Sequence, residues 1–141
     1  MIDPATVRSA LEHLALRHSQ ASDGAFVVPI YTFGSIVLAV MSIDCGGRFL
    51  EIRSVGLPCS KDGRRGHSML CRVADSINRQ YRAVKAALEP RDGELVVCVD
   101  HWFRESWATP DEVAFLFGLF AHAVREALGA IMVYSVPQPE L

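Results

Sequence analysis

The chain has 141 residues, half of them hydrophobic and 21% charged, with a formal net charge of −2. That composition suits one globular domain with a real core and excludes a disordered chain. No basic excess points to nucleic acid or to an anionic membrane surface, and a mean hydropathy of +0.21 implies either a large core or apolar surface covered by another chain.

"DPATVRSALEHLALRH" reads as a first helix, with Asp3 as its cap, Pro4 at the first helical position, and Val7, Leu11, Leu14 and His18 along one stripe. It does not carry the basic leader and long apolar run of a secretory signal. "AFVVPIY", "SIVLAVMSID" and "RFLEIRSVGL" then read as three strands, rich in Val, Ile and Phe. Gly34-Ser35 allows a tight reversal between the first two, and Gly46-Gly47 marks a hairpin between the second and third. Pro29 places the first strand at an edge or a bulge, because it removes a donor. "PCSKDGRRGHS" is a polar loop, and a helix follows from about Gly66 with Leu70, Val73, Ala74 and Ile77 on one face.

"INRQYRAVKAALEPRDGELVVCVD" allows two readings. Propensity continues the helix to Leu88, since Ile77, Tyr81, Val84 and Leu88 keep helical spacing. A period of two is equally available over Val84, Ala86 and Leu88, and Pro-Arg-Asp-Gly is a strong hairpin turn before "ELVVCVD". "TPDEVAFLFGLFAHAVREALG" is a last helix, capped by Thr109, started by Pro110 and ended by Gly129; residues 131–141 read as a tail after a single domain over residues 1–130.

The stretch "LCRVADSINRQYRAVKAALEPRDGELVVCVDHWF…TPDEVAFLFGLFAHAV" resembles the YbjN family, whose fold is shared with type III secretion chaperones. The matching pieces are "INRQYRAVKAALE", "PRDG", "ELVVCVD" and "TPDEV", which cover about two thirds of the chain when the preceding elements are counted by order. "HWFRESWA" and "GRRGHS" depart from the family pattern. The resemblance favours the strand reading. It implies an α+β fold in the order α-β-β-β-α-β-β-α, a secretion-chaperone-like, twisted and mainly antiparallel sheet with helices packed against it. It also implies chaperone-like or regulatory work, often tied to stress responses, without a defined substrate; a cytoplasmic place is read instead from the four cysteines as reduced thiols and the missing export signal.

On the last helix Val113, Leu116, Phe117, Phe120, Val124 and Leu128 form the core stripe, and Phe115, Leu119 and His122 form a second row. That row implies a two-fold homodimer, to which burial of Phe115 and Leu119 would contribute about 1.5–3 kcal/mol each. The alternative is that "AIMVY" folds back over it. Gly118 between the rows would let another backbone approach. Trp102, Phe103 and Trp107 fall in the connection before this helix, where large aromatics either anchor a protein partner or plug the sheet.

Lys61, Arg64 and Arg65 make an anion or nucleic-acid contact conceivable in the 61–68 loop, but the phosphate-loop pattern is absent and three charges give only weak, salt-sensitive binding. The four cysteines show no paired zinc spacing; Cys98 and His101 would point to opposite faces of a strand, and His13 and His18 lie too far round a helix to share a metal. His67 with Cys71 is the nearest approach to a base and nucleophile, with no orienting acid nearby, and Asp44 and Asp100 read as strand-end caps. The expectation is a non-enzymatic protein-binding homodimer with no cofactor, metal or membrane span. Its runner-up is a nucleic-acid accessory, and a thiol enzyme comes third.

Overall fold

The computed structural model describes residues 1–57, 63–104 and 106–135, with the side chains of 63–65 and 134–135 outside that description. The elements are α1 (Pro4–His13), β1 (Ser19–Gln20), β2 (Phe26–Thr32), β3 (Ser35–Asp44), β4 (Phe49–Val55), α2 (Gly63–Gln80), β5 (Val84–Leu88), β6 (Leu95–Trp102) and α3 (Pro110–Ser135). All the strand pairs are antiparallel, in the order β1-β2-β3-β4-β6-β5. The α+β order expected from the sequence is the order found, with β1 as an addition.

Helix α1 starts as its residues dictate: Asp3 accepts from the Thr6 amide and hydroxyl, both at 2.8 Å, which lowers the pKa of its carboxyl. It stops at His13, before the predicted His18. Ala15 takes a left-handed conformation (φ 55°), its amide bonds Glu12 O, and the Leu16 amide returns to Leu11 O. This is a Schellman cap built without glycine, so no breaker in the sequence announces it. The chain beyond it supplies β1, which pairs Ser19 with Val27 and Gln20 with Phe26.

The β2–β3 hairpin turns on Phe33 and Gly34, both at positive φ, one residue before the expected Gly34-Ser35, with Ser35 already in β3 opposite Thr32. Two left-handed residues in a two-residue turn match the twist of the strands. At the β3–β4 turn the Ile2 amide bonds Gly47 O at 2.6 Å, and a Cβ on Gly47 would lie 2.7 Å from Ile2 O. Only glycine lets the N-terminal segment cross there.

Helix α2 begins at Gly63, three residues before the predicted Gly66, and gives way to β5 because Asn78 takes over the strand's outer side. Its side-chain amide donates to Ala86 O at 2.9 Å and accepts from Ala86 N at 2.8 Å. The β5–β6 turn closes through Glu89 and Glu94 main-chain bonds with Gly93 at φ 68°. Thr109 caps α3, its hydroxyl accepting from the Glu112 amide at 3.2 Å. The predicted end at Gly129 is not a stop: α3 runs on through "AIMVY" to Ser135. Gly129 stays helical with the Phe33 ring lying over it, about 3.5 Å from where a Cβ would stand.

The three helices lie on one face of the sheet. Phe26, Val28 and Ile30, then Val37, Ala39 and Met41, then Leu50 and Ile52, Val84 and Ala86, and Leu95, Val97 and Val99 all point to that side and are buried. The core stripe of α3 closes over them as predicted. Ser54 is the one buried polar residue among those described, and its hydroxyl accepts the Val97 amide at 2.8 Å where the β4–β6 ladder ends.

Candidate protein-binding surfaces

Among the described residues the other face of the sheet carries no helix. Alternation puts Tyr31, Ile36, Leu38 and Val55 there, all exposed, with Val27, Pro29 and Val40 beside them. Cross-strand register gathers them: Tyr31 lies opposite Ile36, Pro29 opposite Leu38, Leu38 opposite Val55, and Val27 opposite Val40. From strand spacing and rise the patch measures about 10 Å across three strands and about 14 Å along them. The neighbouring part of this face is polar. Arg53 is paired with Glu89, and Lys85 stands 4.0 Å from Asp100, around a hollow of about 270 Å³ that includes Val96 and Cys98.

The sequence signal for this patch is the unbroken apolar run "IVLAVM" in β3. A run without alternation means a strand apolar on both faces, and only one face is covered here.

The sheet edges are obstructed to a partner that would add as a strand. On β5 the Asn78 side chain already occupies the Ala86 main chain. On β2, β1 covers Phe26 and Val27. Beyond them, the two-residue turn directs the main-chain groups of Thr32, Ile30 and Val28 to β3, which leaves those of Pro29 and Tyr31 facing outward. Pro29 has no N–H to offer, so it costs the ladder nothing and blunts the edge.

The aromatic stretch divides. His101 and Trp102 belong to β6 rather than to the connection after it. Phe103, expected as a partner contact, is 3% exposed and part of the core, its ring edge-on to His101 at 4.6 Å and its amide on Arg48 O at 2.7 Å. It plugs the sheet end. Trp102 and Trp107 are 58% and 60% exposed, with Trp102 stacked at a tilt on Phe49, 4.8 Å between centroids. An apolar hollow of about 380 Å³ lies between the end of β6 and the first turns of α3, lined by His101, Asp111, Glu112, Phe115 and Leu116.

On α3, Phe115 is 66% exposed, His122 is exposed and Leu119 is half-buried against the core. Helix α3 carries "AIMVY" away from this row as far as Ser135, so within the described residues that segment does not fold back over it. His122 lies 3.1 Å from Glu126 and edge-on to Tyr81. Burial and the Glu126 carboxylate push the Tyr81 phenol up to about 12.

Lys61 lies outside the described residues. Arg64 and Arg65 fall in the first turn of α2, with their side chains likewise outside the description. His67 Nε2 and Cys71 Sγ come within 3.6 Å on the surface of α2, and among the described residues no carboxylate bonds that imidazole. His18 turns to Leu16 O and the Phe26 ring, away from His13. Asp44 O accepts from Gly47 in its turn, whereas Asp100 lies within β6 rather than at its end. Among the described residues no three His, Cys, Asp or Glu gather as a metal ion would need. One described helix, over Pro110–Val133, is long and apolar enough to cross a membrane; half of it is buried in the domain, where its apolar stripe forms the core.

Burial, with Asp100 and Glu51 nearby, pushes the Cys98 thiol up to about 12. Its thiolate is scarce at ordinary pH, so labelling by a thiol reagent at pH 8 should run on the order of a hundredfold slower than for an unperturbed thiol. Raised folded pKa values at Cys98 and Tyr81 also mean that stability present below pH 9 falls as pH rises through about 9 to 12. Equal labelling rates at Cys98 and exposed Cys45 would contradict this environment.

Comparison with known proteins follows the same lines. A crystal structure titled "Crystal structure of YbjN, a putative transcription regulator from E. coli" superposes with a TM-score of 0.61 at 16% identity, covering 89% of this chain and 90% of that one. At that identity the likeness speaks for the fold. No curated protein matches the chain. The model of the YbjN family, described as "Putative bacterial sensory transduction regulator", matches residues 3–131, and the chain belongs to that family.

Proposed function

We propose that the chain is a cytoplasmic, non-enzymatic regulatory adaptor that works as a homodimer and holds a segment of a partner protein on the bare face of its sheet. The observation that carries this reading is the Tyr31, Ile36, Leu38 and Val55 patch, contiguous and exposed among the described residues. Its size suits about three turns of an amphipathic helix, which would complete a helix–sheet–helix sandwich. The obstructed edges favour such a face-on partner over an added strand. The family description as a regulator agrees with protein binding rather than turnover.

The dimer is assigned to the Phe115, Leu119 and His122 row of α3, the stabilisation coming from burial of Phe115 and Leu119. Light scattering on the wild type should give twice 15.5 kDa, and Phe115→Glu with Leu119→Glu should give a folded species of 15.5 kDa. A monomeric wild type at micromolar concentration contradicts the dimer. Partner capture should persist at high salt, because apolar burial is not screened. Steep loss with salt would favour the basic 61–68 loop and a nucleic-acid partner.

A further inference from the structure

We infer that α3 is the two-fold seam of the dimer, lying antiparallel to α3 of a second copy, so that Phe33, Met132 and Val133 of each copy rest on Phe115 and Gly118 of the other. This deepens the homodimer reading and depends on it.

Two outward pairs on α3 are symmetric about position 124. Phe115 and Val133 lie nine residues either side of it, about 13.5 Å in each direction, and His122 and Glu126 lie two either side. A two-fold axis there, perpendicular to the helix, brings Phe115 to the partner copy's Val133 end and His122 to its Glu126. The central pair agrees with this sense. A parallel pair would set His122 level with His122 and Glu126 level with Glu126, whereas the antiparallel pair lays the His122–Glu126 pair of one copy against that of the other in reverse order.

The shapes at the two ends are complementary. Gly118 is exposed, and a Cβ built on it meets no atom within 4 Å, so beside Phe115 it leaves a shelf of bare backbone. At the other end the Phe33 ring covers Gly129 and remains 56% exposed next to exposed Met132 and Val133, which makes an apolar knob. Phe33 holds a positive φ of 49° in a turn position that usually takes Asn, Asp or Gly. An aromatic kept there half in solvent is poorly repaid within one chain, and a second copy supplies the missing contact.

Sedimentation equilibrium of the full chain tests this with Gly118→Gln and Phe33→Ser. Each should raise the dimer Kd at least about tenfold. Gly118→Gln should not lower the melting temperature of the folded monomer, since its side chain enters open space and glycine is a poor helix former. A dimer whose Kd is unchanged by either substitution overturns the antiparallel seam and leaves the homodimer standing. A monomeric wild type overturns both.

Discussion

Phe103→Ala should lower the free energy of unfolding by about 3–5 kcal/mol, the range for emptying a fully packed phenylalanine site. Trp107→Ala, four residues on, should cost well under about 1 kcal/mol. The two aromatics look equivalent in sequence and differ in structure. Phe103 is buried beside the His101 ring and ties the β3–β4 turn through its amide to Arg48 O, while Trp107 is 60% exposed. For a domain whose whole stability is of the order of 5–15 kcal/mol, the first substitution removes a large share. Denaturant titrations followed by circular dichroism separate the cases, and equal losses would mean that Phe103 is not a core residue.

Asn78→Leu should cost about 2–3 kcal/mol, since it leaves the Ala86 N–H and C=O without their side-chain partner. It should also expose the β5 edge, so concentration-dependent association by strand pairing should appear in a chain that otherwise resists it. Hydrogen exchange at the Ala86 amide reads the local effect directly. Protection in the wild type should be lost in the variant at denaturant concentrations where α3 amides are still protected. Unchanged protection at Ala86 would show that the side chain does not close that edge.

Asn78 also explains why the sequence is ambiguous around it. Residues 77–88 satisfy helical and strand periods together, and a strand results because one amide on the last turn of α2 satisfies both groups of Ala86, eight residues on. Local propensity contains no term for that. The hairpin at Pro90–Gly93, the cap at Thr109 and the core stripe of α3 were legible because each depends on neighbours within a few residues, and the reversal after β2 was legible to within one residue, at Phe33-Gly34 rather than Gly34-Ser35. The end of α1 was not, since Ala15 closes it in a conformation that glycine usually marks. The continuation of α3 past Gly129 was hidden for a different reason: the ring that covers that glycine comes from Phe33, far away in the chain.

Of the second row on α3, Phe115 and His122 are exposed and Leu119 is half-buried against the core. Of the loop aromatics, Trp102 and Trp107 are on the surface, and Phe103 is not. The residues of the bare sheet face were not legible one by one, because their signal, apolar residues on both sides of β3, is the same one a fully buried strand gives. Only the placement of all three helices on one face tells the two apart.

The most direct test of the central claim is site-specific photo-cross-linking in living bacteria from a benzophenone side chain at Ile36, with exposed Glu12 on α1 as the control position. Ile36 should give one discrete adduct to a different protein, Glu12 should not, and Leu38→Glu with Val55→Glu should abolish it while the chain stays folded. No adduct at Ile36, or an adduct consisting only of a second copy of this chain, would contradict a partner segment seated on the bare face of the sheet.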